Sequence, residues 1–431
     1  VCAVFVFLTA LIISNPANGQ KSVTNDFDSD LALSPFQVTL VPPLSTNGTN
    51  PLVYRNKRSI NLLVGYHGAL EGWEFGGLVN INKHYTAGIQ FASLVNYSGG
   101  YAEGVQFSGL ANVARQNISG LHFTGGLLYA SRDIEGLQAA GLAAITPDGS
   151  ISGMQATGLL NYAGESIEGM QVSGISMAKR NISGMQATGL INYAGEEIEG
   201  MQLAGFINRA GNSISGLQAA GILNSAPEME GLHAAPLNIS KESTGMAFGV
   251  FNIASRGEGL HIGVINYAND FEGASVGLIG FVKNGRHNIN AWTSAAGYSN
   301  FGVKLGTQEI YNMLSIGINP LLDAADWQVG WTLGKHHPVE KQPFEMDTEF
   351  YVGLVNPDDW SDVKNRIYSY RVLFGYDVGN SVYVYGGPTA NLFVVDEPAN
   401  DDYYPYSMYG FGAKGLDYRT WIGFNAGIQM L

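Results

Sequence analysis

The sequence predicts an all-β chain: a large antiparallel meander closed as an outer-membrane β-barrel, with a β-solenoid of 14 repeats and a smaller C-terminal barrel as the alternative. Three observations carry this reading. A glycine-led motif recurs fourteen times, 14 to 17 residues apart, with an apolar/polar alternation of period two. The residue in front of the leading glycine alternates in kind from copy to copy. After residue 288 the repeat gives way to aromatic, strongly alternating stretches. The composition agrees, with 57 glycines in 431 residues, 45% hydrophobic and only 13% charged residues, which is too little charge for a disordered chain and well below a soluble domain's usual share.

At the N-terminus, residues 1–19 read as a signal peptide whose start is truncated. The apolar run Val1 to Ile13 is too short to cross a bilayer as a helix. Ala17-Asn18-Gly19 puts small residues three and one before a cut ahead of Gln20. The single cysteine, Cys2, leaves with this segment, and it is wrongly placed for a lipid anchor. The mature chain is therefore expected to use no disulfide, thiolate site or thiol chemistry. The net charge of -14 argues against nucleic acid as a partner. A polar leader, 20–34, and an N-terminal segment, 35–70, with strands at Phe36 to Val41 and Ser59 to Tyr66, precede the repeats.

The repeat region, 71–287, begins its copies at Gly72, Gly88, Gly104, Gly120, Gly136, Gly153, Gly169, Gly184, Gly200, Gly216, Gly231, Gly245, Gly259 and Gly273. In the clearest copy, Gly153 to Ala163, Met154, Ala156, Gly158, Leu160 and Tyr162 alternate with Gln155, Thr157 and Asn161, and Gly184 to Ala194 nearly duplicates it. About eleven residues of strand per copy match the nine to eleven that a tilted membrane-spanning strand needs. Glu71, Glu103, Glu135, Glu168, Glu199, Glu230 and Glu258 precede the odd-copy glycines, whereas the even copies carry Ala, Ser or Thr except for Glu272. Tyr97, Tyr129, Tyr162 and Tyr193 close even copies.

An antiparallel meander explains that parity, because odd starts and even ends then share one rim. A parallel solenoid needs a separate reason for it. On the meander reading the seven glutamates form a cation-favouring rim and the four tyrosines an interfacial girdle; the plain alternatives are a charge that keeps strand starts wet and residues that merely suit strands. The Gln and Asn columns face a barrel lumen, or stack as amide ladders in a solenoid.

The C-terminal segment, 288–431, offers nine strands, from Asn290 to Tyr298 through Ile310 to Ile318 and Trp327 to Lys335 to Tyr418 to Met430. Closing a sheet removes its edges and is the one way a sheet can live in lipid. Three constellations invite chemistry and fail a closer reading. Gly273-Ala274-Ser275-Val276-Gly277 matches a nucleophile elbow only formally, since both glycines are repeat positions and no helix follows. His336-His337 lacks a third metal ligand and reads as a solvated turn before Pro338. Asp396, Glu397, Asp401 and Asp402 read as an acidic loop without calcium-loop spacing. No catalytic, cofactor-binding or metal residue is expected, and the chain is expected not to be an enzyme.

The Gly-apolar-Gln…Gly-Leu-x-Asn repeats resemble the surface-repeat proteins of Gram-negative bacteria of the Bacteroidota and spirochaete type. The flanks are similar too: Phe36 to Pro43, Ile310-Tyr311-Asn312 to Pro320, Gly386-Gly387-Pro388-Thr389, and Trp421 to Ile428. The stretch Trp421 to Leu431 also resembles the closing strand of outer-membrane barrels, ending in leucine where an aromatic residue is usual. The resemblance implies an outer-membrane or cell-surface address, with outer-membrane lipid and the barrel-assembly machinery as partners, and it brings no site residues. The expected function is a passive pore or a structural surface protein, whose solutes or surface ligands are not identified. The alternative is a surface-exposed solenoid in adhesion or binding.

Overall fold

The computed structural model describes residues 31–430 apart from 295, 297, 320–326, 339–343, 357–364, 380, 396–407 and 414–415. The signal peptide, most of the polar leader and the acidic residues Asp396, Glu397, Asp401 and Asp402 lie outside the described residues. The chain falls into two compact units, one ending at Gln116 and one beginning at Asn117.

In both units the repeats pair parallel and in register. In the first, Gly104 stands beside Gly88, and Asn80, Asn96 and Asn112 follow one another across three coils. In the second, each leading glycine from Gly120 to Gly273 is matched with the leading glycine of the next copy. The repeats are thus coils of a β-solenoid, and the antiparallel meander is corrected in favour of the alternative. The reason is physical. Only a parallel, in-register stack sets identical side chains on top of one another, which lets amides form ladders and glycines form a column.

That column accounts for the glycine excess. From Gly88 to Gly273 the leading glycine has φ between +99° and +143°, a region in which a side chain is strained. A Cβ on Gly136 would also stand 2.4 Å from the Gly120 carbonyl oxygen.

Stacking also supplies the missing reason for the parity. Glu135, Ser152, Glu168, Ser183, Glu199, Ser215, Glu230, Thr244 and Glu258 are direct neighbours in one column. Adjacent coils are about 4.8 Å apart, so a glutamate on every coil would set carboxylates side by side. The intervening Ser or Thr doubles the spacing to about 10 Å, near one Debye length; the last step of the column, Glu258 beside Glu272, is the exception.

The remaining described residues, Arg286–Met430, form nine antiparallel strands. Arg286–Thr293, Ser299–Gly306, Ile310–Ile318, Trp327–Pro338, Phe344–Asn356, Asn365–Gly379 and Val382–Val395 follow in sequence order, then Leu416–Met430. Leu416–Met430 pairs with Val382–Val395 on one edge and returns to the first strand on the other, Ile289 opposite Met430 and Thr293 opposite Ala426. Eight strands therefore close into a barrel. The short ninth, Tyr409–Ala413, lies along Leu416–Met430.

Candidate functional site

The barrel is inverted relative to a water-soluble one. Phe301, Leu314, Ile316, Phe350, Leu354, Phe374, Ile422 and Phe424 are exposed on its outer wall, while Asn290, Asn300, Lys304, Gln328, Thr332, Glu349, Arg371 and Asn425 are buried. Period-two alternation produces this directly, since every second residue of each strand points to the lumen.

Charged side chains pair with one another across the lumen. Lys304 Nζ lies 2.9 Å from Asp347 Oδ2 and 3.8 Å from Glu349 Oε1, and Arg371 lies 3.5 Å from Glu349 Oε2. His336 Nδ1 is 2.6 Å from Asp347 Oδ1. The Tyr311 hydroxyl donates toward both carboxylates at 2.9 and 2.8 Å. Arg371 also sits 3.9 Å from the Tyr351 ring centroid, a cation–π placement. The gap left beside Lys304, Asp347, Tyr383 and Gln429 is about 10 Å³, no more than one water's room. Toward the other end Tyr298, Tyr351, Val355, Ile367, Phe393 and Trp421 pack together. His336-His337 is thereby corrected. Both residues lie on the strand Trp327–Pro338 rather than in a solvated turn, and His337 meets the Thr348 hydroxyl at 3.1 Å.

The solenoid interior is built of amide ladders of opposite polarity. In the second unit each Asn donates to the next, Asn192 to Asn208, Asn224, Asn238, Asn252 and Asn266 in turn, at 2.8–3.0 Å. The Gln ladder runs the other way, each step donating to the residue before, as Gln155 to Gln138 at 3.0 Å and Gln202 to Gln186 at 2.8 Å, but it is interrupted at Gln186, which donates to the Ser183 carbonyl instead. In the first unit the Gln ladder ends on an acceptor without hydrogens. Gln106 donates to Gln90, and Gln90 donates to the Glu74 carboxylate, both at 2.6 Å. Buried His67 lies 2.7 Å from Glu74. Burial alone would raise the Glu74 pKa, but the His67 charge and its hydrogen bond, together with Gln90 and Asn82, hold it below the usual carboxylate value.

Ladder faults leave atoms without partners, among them Gln171 Oε1 beside Gln186. Ser176 stands in register between Asn161 and Asn192, and the Asn161 Nδ2 and Asn192 Oδ1 atoms that face this gap are unsatisfied. Ser176→Asn is expected to join the two ladder segments and stabilise the second unit by about 1–2 kcal/mol, the net worth of two hydrogen bonds. The midpoint of denaturant unfolding checks it; a lower midpoint would show that the extra atoms do not fit. In the other column Gln218 Oε1, which has no hydrogen-bond partner, faces His233.

The solenoid's open end is capped by the barrel. Thr307 Oγ1 donates to the Gly273 carbonyl at 3.0 Å and Asn312 Nδ2 to that of Ser275 at 2.6 Å. The Gly277 N–H donates to Asn312 Oδ1 at 3.1 Å, and Trp331 Nε1 donates to the Gly277 carbonyl at 2.8 Å. Barrel side chains thus occupy the bonding positions of the coil that would come next, which is what an exposed sheet edge requires. Ser275, the formal nucleophile, is buried in the Gln column beside His261.

The glutamates stand in columns on outer solenoid faces rather than around a barrel mouth: Glu71 and Glu103 in the first unit, Glu135, Glu168, Glu199, Glu230 and Glu258 in the second. Glu71 is held by Arg55 and the Tyr85 hydroxyl at 3.0 and 2.8 Å. Glu197, Glu199, Glu228, Glu230 and Glu242 flank an open groove of about 330 Å³. Among the described residues no three His, Cys, Asp or Glu side chains are arranged to hold a metal. Tyr97 lies on the first unit, and Tyr129, Tyr162 and Tyr193 lie on one outer face of the second. The barrel's ion network and the capped solenoid end were not anticipated from sequence; the alternating polarity of Lys304, Glu349 and Arg371 within aromatic strands was the available signal for the first.

No family model, curated protein or solved structure matches the chain.

Proposed function

We propose that this protein is a non-enzymatic, membrane-anchored repeat protein of the Gram-negative outer membrane, in which the eight-stranded barrel is a sealed anchor and the solenoid coils are the structural or binding part. The inverted barrel carries the reading. Apolar side chains cover its outer wall, and its buried charges pair with one another across the lumen. A closed sheet with an apolar outside is the β-architecture that lipid accepts, and eight strands leave a lumen only wide enough for side chains. The likeness of the repeats to surface-repeat proteins points to the same envelope. No helix among the described residues is long and apolar enough to cross a membrane, which leaves strands as the membrane element on this reading.

Within this proposal the pore half of the expected function gives way to the anchor. The buried ionisable groups of the barrel are engaged with each other rather than turned toward a solute path. The test is made on the full chain. It should require detergent, run faster on gels unheated than boiled, and insert into planar bilayers without ohmic conductance. Solubility without detergent would sink the anchor, and steady single-channel steps would sink the seal.

A further inference from the structure

Each coil of the second unit reverses its sidedness across its width. Beside the turns that join successive coils, Ile134, Ile151 and Ile167 are buried, and charged residues such as Asp148, Glu165, Lys179 and Glu196 face outward. That half is built as for water. Around the second glycine of each coil the order inverts: Gln155 and Asn161 are inside while Met154 and Leu159 are outside. Leu142, Leu159, Phe206, Ile222 and Leu278 stand one above another along this edge with 45–58% of their surface exposed. In the eleven copies from Gly120 to Gly273, no Asp, Glu, Lys or Arg occurs in the eight residues after the leading glycine. That half repeats the inversion seen in the barrel wall.

An apolar edge has no occupant fixed by itself; the last coil supplies one. Its polar turn sits at the barrel rim, where Gln308 Nε2 donates to the Asn284 carbonyl at 2.7 Å. From Gly273 through Ser275 to Gly277 the coil is bonded by Thr307 in the rim turn, by Asn312, and then by Trp331, which pairs with Leu314 in mid-strand. The apolar edge at Gly277 and Leu278 therefore points toward the middle of the barrel's apolar wall, and the charged edge toward its rim. Coils stack along the direction in which this last coil meets the wall, so the array leaves the barrel sideways. The five residue steps from the exposed Met154 to the edge residue Leu159 span about 16 Å, close to the roughly 15 Å of one hydrocarbon leaflet.

We propose that the solenoid of the second unit lies half-sunk in one leaflet of the membrane that holds the barrel, its apolar edge among acyl chains and its charged edge in water. This rests on the anchoring proposal above. The occupant is lipid because the edge runs without a break into a surface that the same lipid must cover. Tyr129, Tyr162 and Tyr193 then lie near the polar turns, at the depth where aromatic residues favour the interface. The leaflet is the one at the rim where successive strand ends lie close in sequence, Gly306 to Ile310, Pro338 to Phe344 and Gly379 to Val382; at the other rim Ile318 to Trp327, Asn356 to Asn365 and Val395 to Tyr409 are farther apart, with Thr293 to Ser299 the short step; in outer-membrane barrels the short-turn rim is periplasmic.

The test uses the full chain with Cys2→Ser, reconstituted in phosphatidylethanolamine/phosphatidylglycerol vesicles and carrying one nitroxide label at a time, at Leu159→Cys, Ile222→Cys, Glu165→Cys, Glu196→Cys or Phe424→Cys. Labels at 159, 222 and 424 should be reached by oxygen and lose access to a water-soluble nickel chelate, and labels at 165 and 196 should show the reverse. If 424 reports lipid while 159 and 222 report water, the half-sunk solenoid is wrong and the anchor stands. Shielding of 159 and 222 from both reagents would mean a second protein surface covers the edge, which also overturns it. A water signature at 424 would overturn the anchor itself.

Discussion

Glu349→Ala is expected to destabilise the barrel by about 3–5 kcal/mol, the usual cost of leaving a buried charge without its partner. Glu349 is almost fully buried, accepts from the Tyr311 hydroxyl, and faces both Lys304 and Arg371. Lys304 and Tyr311 keep Asp347 when Glu349 is removed. Arg371 does not, since among the described residues Glu349 is the carboxylate within ion-pair distance of its guanidinium, and it is left over the Tyr351 and Trp292 rings. The heat needed to convert the compact gel band to the unfolded one should drop in the single variant. Glu349→Leu combined with Arg371→Met should recover a large part of that loss, because replacing a whole buried pair by apolar groups is often neutral or better. A double variant as weak as the single would show that the packing of Glu349, rather than its charge, holds the barrel.

Acid should loosen the solenoid of the second unit between pH 6.5 and about 4. Burial lowers the pKa of His122, His233 and His261 from 6.5 to about 4. The folded state keeps these rings neutral, while the unfolded chain protonates them below pH 6.5. Their contribution is therefore fully present above 6.5, is lost as pH falls toward 4, and changes no further below that. The slope is at most about 1.4 kcal/mol per pH unit for each ring. His233→Gln with His261→Gln should remove most of it, and Gln at 233 gains a donor for the unpartnered Gln218 Oε1. Denaturant midpoints at pH 7 and pH 5 would settle the matter: if the double variant loses as much as the parent, the rings are not the acid-sensitive groups. Glu74, in the first unit, acts in a different window. Its lowered pKa gives stability that is lost only as pH falls below 4.5.

Most strands of the C-terminal barrel were legible in the sequence to within two or three residues, Ile310 to Ile318 among them, because period-two alternation of large apolar side chains is a local signal; the first was expected at Asn290 to Tyr298 and lies at Arg286–Thr293. The repeat was legible in its period, its glycines and its amide columns. Its strand direction was not. A parity of Glu and Ser fits antiparallel neighbours sharing a rim, and it fits parallel neighbours avoiding like charges just as well, so the pattern alone could not choose. The site was less legible still. Pairing among Lys304, Asp347, Glu349 and Arg371 joins residues up to 45 apart in the chain, and the cap formed by Thr307, Asn312 and Trp331 depends on where a barrel wall meets a coil.

By itself the sequence determined that this protein is all-β, that glycine marks each coil, and that its C-terminal strands alternate as lipid-facing strands do, because these properties follow from side-chain period and backbone freedom. Only the tertiary structure decided that the coils stack in parallel, that the buried charges of the barrel pair across its lumen, and that polar and apolar edges of the solenoid line up with the rim and wall of the barrel. Those outcomes depend on which distant residues come to lie 3 Å apart, and no local pattern encodes that.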